Sequence, residues 1–265
     1  GQFTFSIHTP TLSPLPRVTK KTRKQMNNYN QNIPNPYESS YYRADSSLIT
    51  RVMRRVYGKM TFGLVVTALV SWLCASSPSA VMYFVNNSWL MWVLLLAEVG
   101  LVIAISGAIN KMSSGMATLL FYVFAVVNGL ALWPIFAVYT GESLTKTFLI
   151  CAGTFGFMSI YGYFTNRDLS RMGSLLFMAL IGLIIASLVN IFLHSDTMGW
   201  IISFVGILIF VGLTAWDTQQ IKQMAQMAGD NDSVSRLATL GALSLYLDFI
   251  NLFLYLLRFF GDNRN

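Results

Sequence analysis

The stretch LGALSLYLDFINLFLYLLR, residues 240–258, decides the fold because it is long and apolar enough to cross a membrane as one helix. A helical span needs about 20 predominantly apolar residues. Its polar and small residues recur at steps of three and four: Gly241, Ser244, Asp248, Asn251 and Tyr255. At the period of an α-helix they share one stripe, so one face of this helix is predicted to contact protein or water rather than lipid.

Six further apolar runs precede this one, and together they predict an all-α membrane protein of about seven transmembrane helices. Hydrophobic residues make up 54% of the chain and charged residues only 11%, which is not the composition of a soluble domain of this size. The runs do not alternate as barrel strands would. The predicted spans are 60–76, 89–110, 115–139, 144–164, 174–193, 198–221 and 237–257.

Basic residues are concentrated ahead of the first span. Up to residue 59 the chain has ten Lys or Arg and two Asp or Glu, whereas the remainder has eight and nine. Basic flanks stay in the cytoplasm, which predicts a cytoplasmic N-terminus and, with seven spans, a C-terminus on the opposite side. The lack of a signal-peptide core and of an organelle-retention tail favours a bacterial inner (plasma) membrane.

Three regions follow from this pattern. Residues 1–50 are rich in Pro, Asn, Ser and Tyr without any period that could bury a face, so we predict a disordered basic tail. Residues 51–261 form the predicted transmembrane domain, and 262–265 a short C-terminal tail. The basic run in the tail lacks aromatic partners, so no nucleic-acid binding is expected. The predicted partner of the transmembrane domain is the lipid bilayer, whose anionic headgroups the basic run could contact.

A second aspartate lies in the preceding span, Asp217 in GLTAWDTQQIK, residues 212–222. One aspartate at the membrane centre costs about 3 kcal/mol, so a pair on consecutive spans needs a compensating role. Two carboxyls in contact in a low dielectric cannot both stay ionised, so the pair would hold a proton and exchange it for a cation. Asp217 and Asp248 therefore predict a pH-responsive ion site, provided that the last helix starts outside the membrane core or is tilted.

Other polar residues within the spans are assigned by weighing packing against function. Glu98, nine residues into the second predicted span, is either a protonated packing residue or part of an ion path, and we favour the path. Ser244 and Asn251 serve equally well as path residues or as hydrogen-bonding links between helices. Pro134 predicts a kink in the third span. No motif of a soluble catalytic site is found, so an enzyme is not expected.

Four segments of the chain together resemble a known family. The segments around the two aspartates, AEVGLVIAIS at 97–106 and NGLALWPI at 128–135 closely resemble the Bax-inhibitor family of seven-span membrane proteins, bacterial type, over roughly residues 46–261. The resemblance implies a bundle around a central seventh helix and a di-aspartyl pH sensor at Asp217 and Asp248. It also implies a pH-dependent calcium leak, with calcium as the permeant or bound ion at these two aspartates, and no cofactor.

One departure from the family pattern concerns closure. The family has an arginine eleven residues after the glutamate, which is thought to latch onto the aspartyl pair, and this chain has Ile109 there. Lys111 is the nearest cation and the candidate latch, although two positions amount to about 200° around a helix.

Two other functions stay open from the sequence. An intramembrane aspartyl protease also places one aspartate on each of two spans, but the residues before Asp248 are Leu245, Tyr246 and Leu247, which include neither glycine of its GxGD motif. A non-conducting adaptor that modulates a partner, such as a membrane protease, is the main alternative. The sequence identifies no protein partner.

Overall fold

The computed structural model describes residues 36–228 and 231–262, with side chains from residue 47 onward. The described residues form nine helices and no strand. The helices are α1 Pro36–Ser76, α2 Pro78–Asn86, α3 Trp89–Ala108, α4 Ser114–Ala131, α5 Trp133–Val138, α6 Gly141–Phe164, α7 Ser170–Leu193, α8 Asp196–Met227 and α9 Asn231–Phe260.

Seven helical segments are long and apolar enough to cross a membrane, which confirms the predicted all-α membrane protein. They are Ser47–Ser76 within α1, then α3, α4 with α5, α6, α7, α8 and α9. The observed helices extend beyond several predicted spans, because apolar periodicity marks the lipid-facing part of a helix and not its capped ends. The short helix α2 was not predicted.

Helix α1 begins at Pro36, ahead of the predicted tail boundary at residue 50, so this helix extends into the segment assigned to the tail. Proline is favoured in the first helical turn, where its missing N–H has no intrahelical partner to lose. Elongating a helix that is already nucleated costs far less than starting one, so polar residues are readily added ahead of a membrane span. Residues 1–35 and 263–265 of the predicted tails lie outside the described residues.

The third span is interrupted where the sequence predicts a kink. Helix α4 ends at Ala131, and α5 begins at Trp133, one residue ahead of Pro134. Just before the break, a Cβ added to Gly129 would lie 2.8 Å from the Cβ of Val70, so glycine allows α1 to approach α4 closely here. The Ser71 hydroxyl donates to the Gly129 carbonyl over 2.7 Å, which fixes the two helices together.

Helix α9 lies among the other helices of the compact unit Ser46–Asn265. It packs against α8, α6, α4 and α3. It is also hydrogen-bonded to α1, where the Lys59 ammonium donates to Thr239 over 2.6 Å and Thr67 meets Tyr246 at 2.6 Å. Its membrane window is 61% buried, whereas those of α3 and α7 are each 6% buried. Within the polar stripe of α9, Gly241 and Asp248 are buried, whereas α3 and α7 present most of their surface to the membrane.

Gly162 controls how closely α6 packs against α8, and we expect Gly162→Ala to destabilise the bundle. A Cβ at this position would overlap the backbone carbonyl of Ala215, which no rotamer change can relieve. Overpacking of this kind costs about 1–3 kcal/mol. Gly153→Ala on the same helix is the matched control, because a Cβ there meets nothing within 4 Å. Thermal unfolding in detergent should show a lower midpoint for Gly162→Ala alone; equal midpoints would contradict the close approach.

Candidate functional site

The carboxyls of Asp217 and Asp248 lie within hydrogen-bonding distance of each other, between α8 and α9. Asp248 is 4% exposed, and Asp217 is half-buried. Two carboxyl oxygens in such contact require a shared proton, since two ions 4 Å apart repel by about 4 kcal/mol at an effective dielectric constant of 20. The pair therefore either keeps one proton or needs a cation in its place.

Asp217 and Asp248 can lie at the same depth because both of their helices are longer than the predicted spans. Helix α8 continues for ten residues beyond Asp217, about 15 Å, and ends at Met227. Helix α9 starts at Asn231, six residues before the predicted span. The last helix thus begins outside the predicted membrane core, which is one of the two conditions under which the aspartates could meet.

A cavity of about 540 Å³ contains the aspartyl pair. Its walls come from α7, α8 and α9, and its polar lining beside the pair consists of Gln220, Ser244, Asn251 and Tyr255. Four of the five stripe residues on α9 thus share this cavity. The fifth, Gly241, instead packs against Ile221 and Val56, where an added Cβ would lie 3.0 Å from Ile221.

One oxygen in the cavity has no hydrogen-bond partner within the described part of the chain. Asp248 Oδ2 is buried and unpaired. Leaving a buried acceptor unsatisfied costs about 1–3 kcal/mol, and more when the group is charged. The neighbouring Asn251 donates its amide nitrogen to the Leu247 carbonyl over 2.8 Å, which leaves its side-chain oxygen as an acceptor. The cavity therefore holds one carboxyl oxygen without a donor among the residues described and an amide oxygen that can act as a second ligand.

These ligands do not form a closed metal cage. Among residues 47–228 and 231–262, no group of three or more His, Cys, Asp or Glu side chains is placed to hold a metal. Calcium takes six to eight oxygen ligands, and the two carboxyls supply at most four. Ser244, Asn251 and water would have to complete the shell. Such a site fits brief occupation by a passing cation better than tight storage.

Glu98, the candidate ion-path residue, lies away from the aspartyl pair. Its carboxylate accepts a hydrogen bond from the Asn128 amide over 2.9 Å. The Asn128 oxygen in turn accepts from the Tyr246 hydroxyl over 2.9 Å, and that hydroxyl also contacts Thr67. Tyr246 and Asp248 are two residues apart on α9, about 200° around the helix, so this hydrogen-bonded chain occupies the other face. Glu98 does not line the cavity of the pair.

Neither latch position reaches the pair in this structure. The side chain of Lys111 is exposed in the turn after α3. Ile109 is 7% exposed and packs in the apolar core. The cavity lining includes no lysine or arginine among the described residues. Helix α3 therefore contributes no cation to the aspartyl pair.

Sequence reasoning missed the contributions of α7 and of Gln220 to the cavity. The α7 wall is formed by apolar residues, among them Phe177, Leu180 and Ile184, which a sequence cannot distinguish from lipid-facing ones. Gln220 is three residues after Asp217, so helical spacing from the aspartate could have identified it.

Comparison with known proteins places these residues in a family context. A family model described as "Inhibitor of apoptosis-promoting Bax1" matches residues 49–265. The inner membrane protein YbhL of Escherichia coli K12 is 48% identical over 214 residues, covering 80% of this chain and 92% of YbhL. A Borreliella burgdorferi protein is 46% identical over 81% of the chain and 93% of its own length, and the Rickettsia prowazekii protein RP147 is 41% identical over 82% and 92%.

Proposed function

The chain belongs to the Bax-inhibitor family of membrane proteins, and we propose that it is a pH-sensitive cation leak channel whose sensor is the Asp217–Asp248 pair. The observation that carries the proposal is the unpaired Asp248 Oδ2 within a carboxyl pair and a cavity of about 540 Å³. A buried acceptor without a donor favours the binding of a proton or a cation.

The lining of the same cavity supports one direction for the proposed pH effect. With no lysine or arginine in the described lining, the ionised pair attracts cations without an internal competitor. Protons and calcium then compete for the same oxygens, since a carboxylate must be deprotonated to act as a ligand. Lowering the pH protonates the pair and displaces the cation. Calcium leak is therefore expected to rise from pH 6 to pH 8.

Calcium flux into liposomes that hold the purified full chain tests this proposal. We expect at least about fivefold faster calcium entry at pH 8 than at pH 6, because the hundredfold fall in proton concentration weakens the competition of protons for the pair. Protein-free liposomes made in the same way are the control. Flux equal to that control at both pH values would refute conduction and favour the non-conducting adaptor.

The proposed setting is a bacterial inner membrane with the N-terminus in the cytoplasm. The name of the Escherichia coli relative, an inner membrane protein, supports the location. The basic residues around the start of the first span support the orientation. Alkylation of single cysteines introduced at Lys111 and Lys146 tests it, since the proposed topology makes only residue 146 reactive from outside the cell.

A further inference from the structure

A second feature of the bundle lies away from the aspartyl pair, between α1 and α6. Two cavities of about 660 and 240 Å³ share Leu64, Phe148 and Phe249 and therefore adjoin; together they are here called the α1–α6 groove. Residue numbers rise along α1 and fall along α6 as the groove is followed, as expected of antiparallel helices. Phe249 of α9 contributes to the wall that both cavities share.

The groove is long enough to hold a lipid acyl chain. Its lining on α1 extends from Thr50 at one end to Ser71 at the other, about 32 Å along the helix. The hydrocarbon core of a bilayer is about 30 Å thick and each leaflet supplies about half of it, so the chain of one lipid occupies about half of the groove. Most lining side chains are apolar, and both helices are membrane spans.

Two polar groups mark one end of the groove. Arg54 lines it and has no acidic partner among residues 47–228 and 231–262. Ser159 lines it on α6, is 5% exposed, and its hydroxyl has no hydrogen-bond partner in the described part of the chain. Other buried hydroxyls find a carbonyl acceptor: Ser203 donates to Gly199 one turn earlier, and Ser71 donates to Gly129 on α4. Ser159 is therefore a buried polar group in the groove wall whose hydrogen-bonding capacity is unused among the described residues.

We propose that the α1–α6 groove binds one anionic phospholipid. One acyl chain occupies the apolar groove, and the Arg54 guanidinium binds the phosphate. Arginine matches phosphate through paired N–H donors, and an anionic headgroup supplies the charge that Arg54 lacks. This binding is independent of the proposed conduction, since the aspartyl pair lies in a different cavity.

Native mass spectrometry of the full chain in a nonionic detergent, titrated with palmitoyl-oleoyl phosphatidylglycerol or the matching phosphatidylcholine, tests the proposal. We expect one phosphatidylglycerol to bind at least about fivefold more tightly than phosphatidylcholine, the factor that one basic side chain gives near a membrane surface. Arg54→Gln should remove this preference. Arg55→Gln is the matched control, because Arg55 is exposed on the same helix with the same charge and does not line the groove.

A second pair of variants tests occupation of the groove itself. Gly156 lines the groove and a Cβ there meets nothing within 4 Å, so Gly156→Leu directs a side chain into the groove from an open position. Gly153→Leu is the control on the exposed face of α6, where a Cβ also meets nothing. Gly156→Leu should weaken the first phosphatidylglycerol at least about tenfold, and Gly153→Leu should leave it unchanged.

Four outcomes would overturn the proposal. Equal loss in both members of either variant pair would indicate lipids around the whole bundle rather than one site. Equal affinity for phosphatidylcholine would remove the role of Arg54 in headgroup choice, and oleic acid binding as tightly as phosphatidylglycerol would identify a fatty-acid site. A dimer without bound lipid, dissociated by Gly156→Leu, would show that a second copy fills the groove.

Discussion

Replacing Asp248 by Asn is expected to abolish most of the pH dependence of calcium leak. Asparagine keeps the volume and one acceptor oxygen but neither titrates nor binds a cation as a carboxylate does. Flux at pH 8 and at pH 6 should then agree within about twofold, against at least about fivefold in the parent, because the exchange of a proton for calcium is lost. Asp217→Asn should act in the same way, since the two carboxyls function as one pair.

The matched control is Asp196→Asn, at the exposed start of the helix that holds Asp217. It removes the same charge from α8 without touching the cavity, so its pH dependence should equal that of the parent. Each variant is compared at equal reconstituted amounts, with thermal unfolding as a check on folding. Parental pH dependence in both pair variants, with folding intact, would reduce the aspartates to helix packing.

The sequence is sufficient for the number of spans and for the site stripe on α9, for a physical reason. A membrane span is defined by its length and apolarity alone, and a helical period places residues 244, 248, 251 and 255 on one face whatever the neighbours are. The free-energy cost of placing two aspartates in the membrane similarly requires a compensating proton, cation or polar partner, however the helices pack around them. These features depend on local chemistry and were therefore predictable.

The position of Glu98 was not predictable, because it depends on how α3 is rotated against α4 and α9. Its distance from the end of the span gives its depth in the membrane but not the direction in which it faces. Both faces of α9 carry polar groups at similar depth, so depth alone does not identify its partner. Asn128 and Tyr246 bind it on the face opposite Asp248. The α1–α6 groove was missed for the same reason, since a gap between helices leaves no mark in the sequence.

The two candidate latch residues, Ile109 and Lys111, do not lie at the aspartyl cavity. The family pattern pointed to Ile109 and Lys111 on or beside α3, yet the cavity of the aspartyl pair is built by α7, α8 and α9. An arginine at position 109 would replace a core residue that is 7% exposed. We therefore expect Ile109→Arg to destabilise the bundle rather than restore closure, and Lys111→Ala to leave flux unchanged because its side chain is exposed.

A cation placed in the cavity itself should close the channel, and Ser244→Lys supplies one. Ser244 lines the cavity and stands four residues, one helical turn, before Asp248, so an ammonium there reaches the carboxyl pair. Attraction of about 4 kcal/mol at 4 Å and an effective dielectric constant of 20 makes this ammonium a strong competitor of calcium. Flux at pH 8 should fall at least about tenfold, which needs only about 1.4 kcal/mol of that attraction.

Ser244→Gln separates charge from bulk, because glutamine has nearly the same length without the charge. It should retain most of the flux in the same liposome assay, whereas Ser244→Lys should also lose the response to pH, since the pair then stays ionised beside the ammonium. Equal inhibition by the two variants would show that the side chain merely obstructs the cavity. A different result would be that Ile109→Arg closes the channel as completely as Ser244→Lys does. That result would mean that α3 reaches the aspartates in a second conformation. The parent would then lack a latch because of the residue at position 109 and not because of how its helices are arranged.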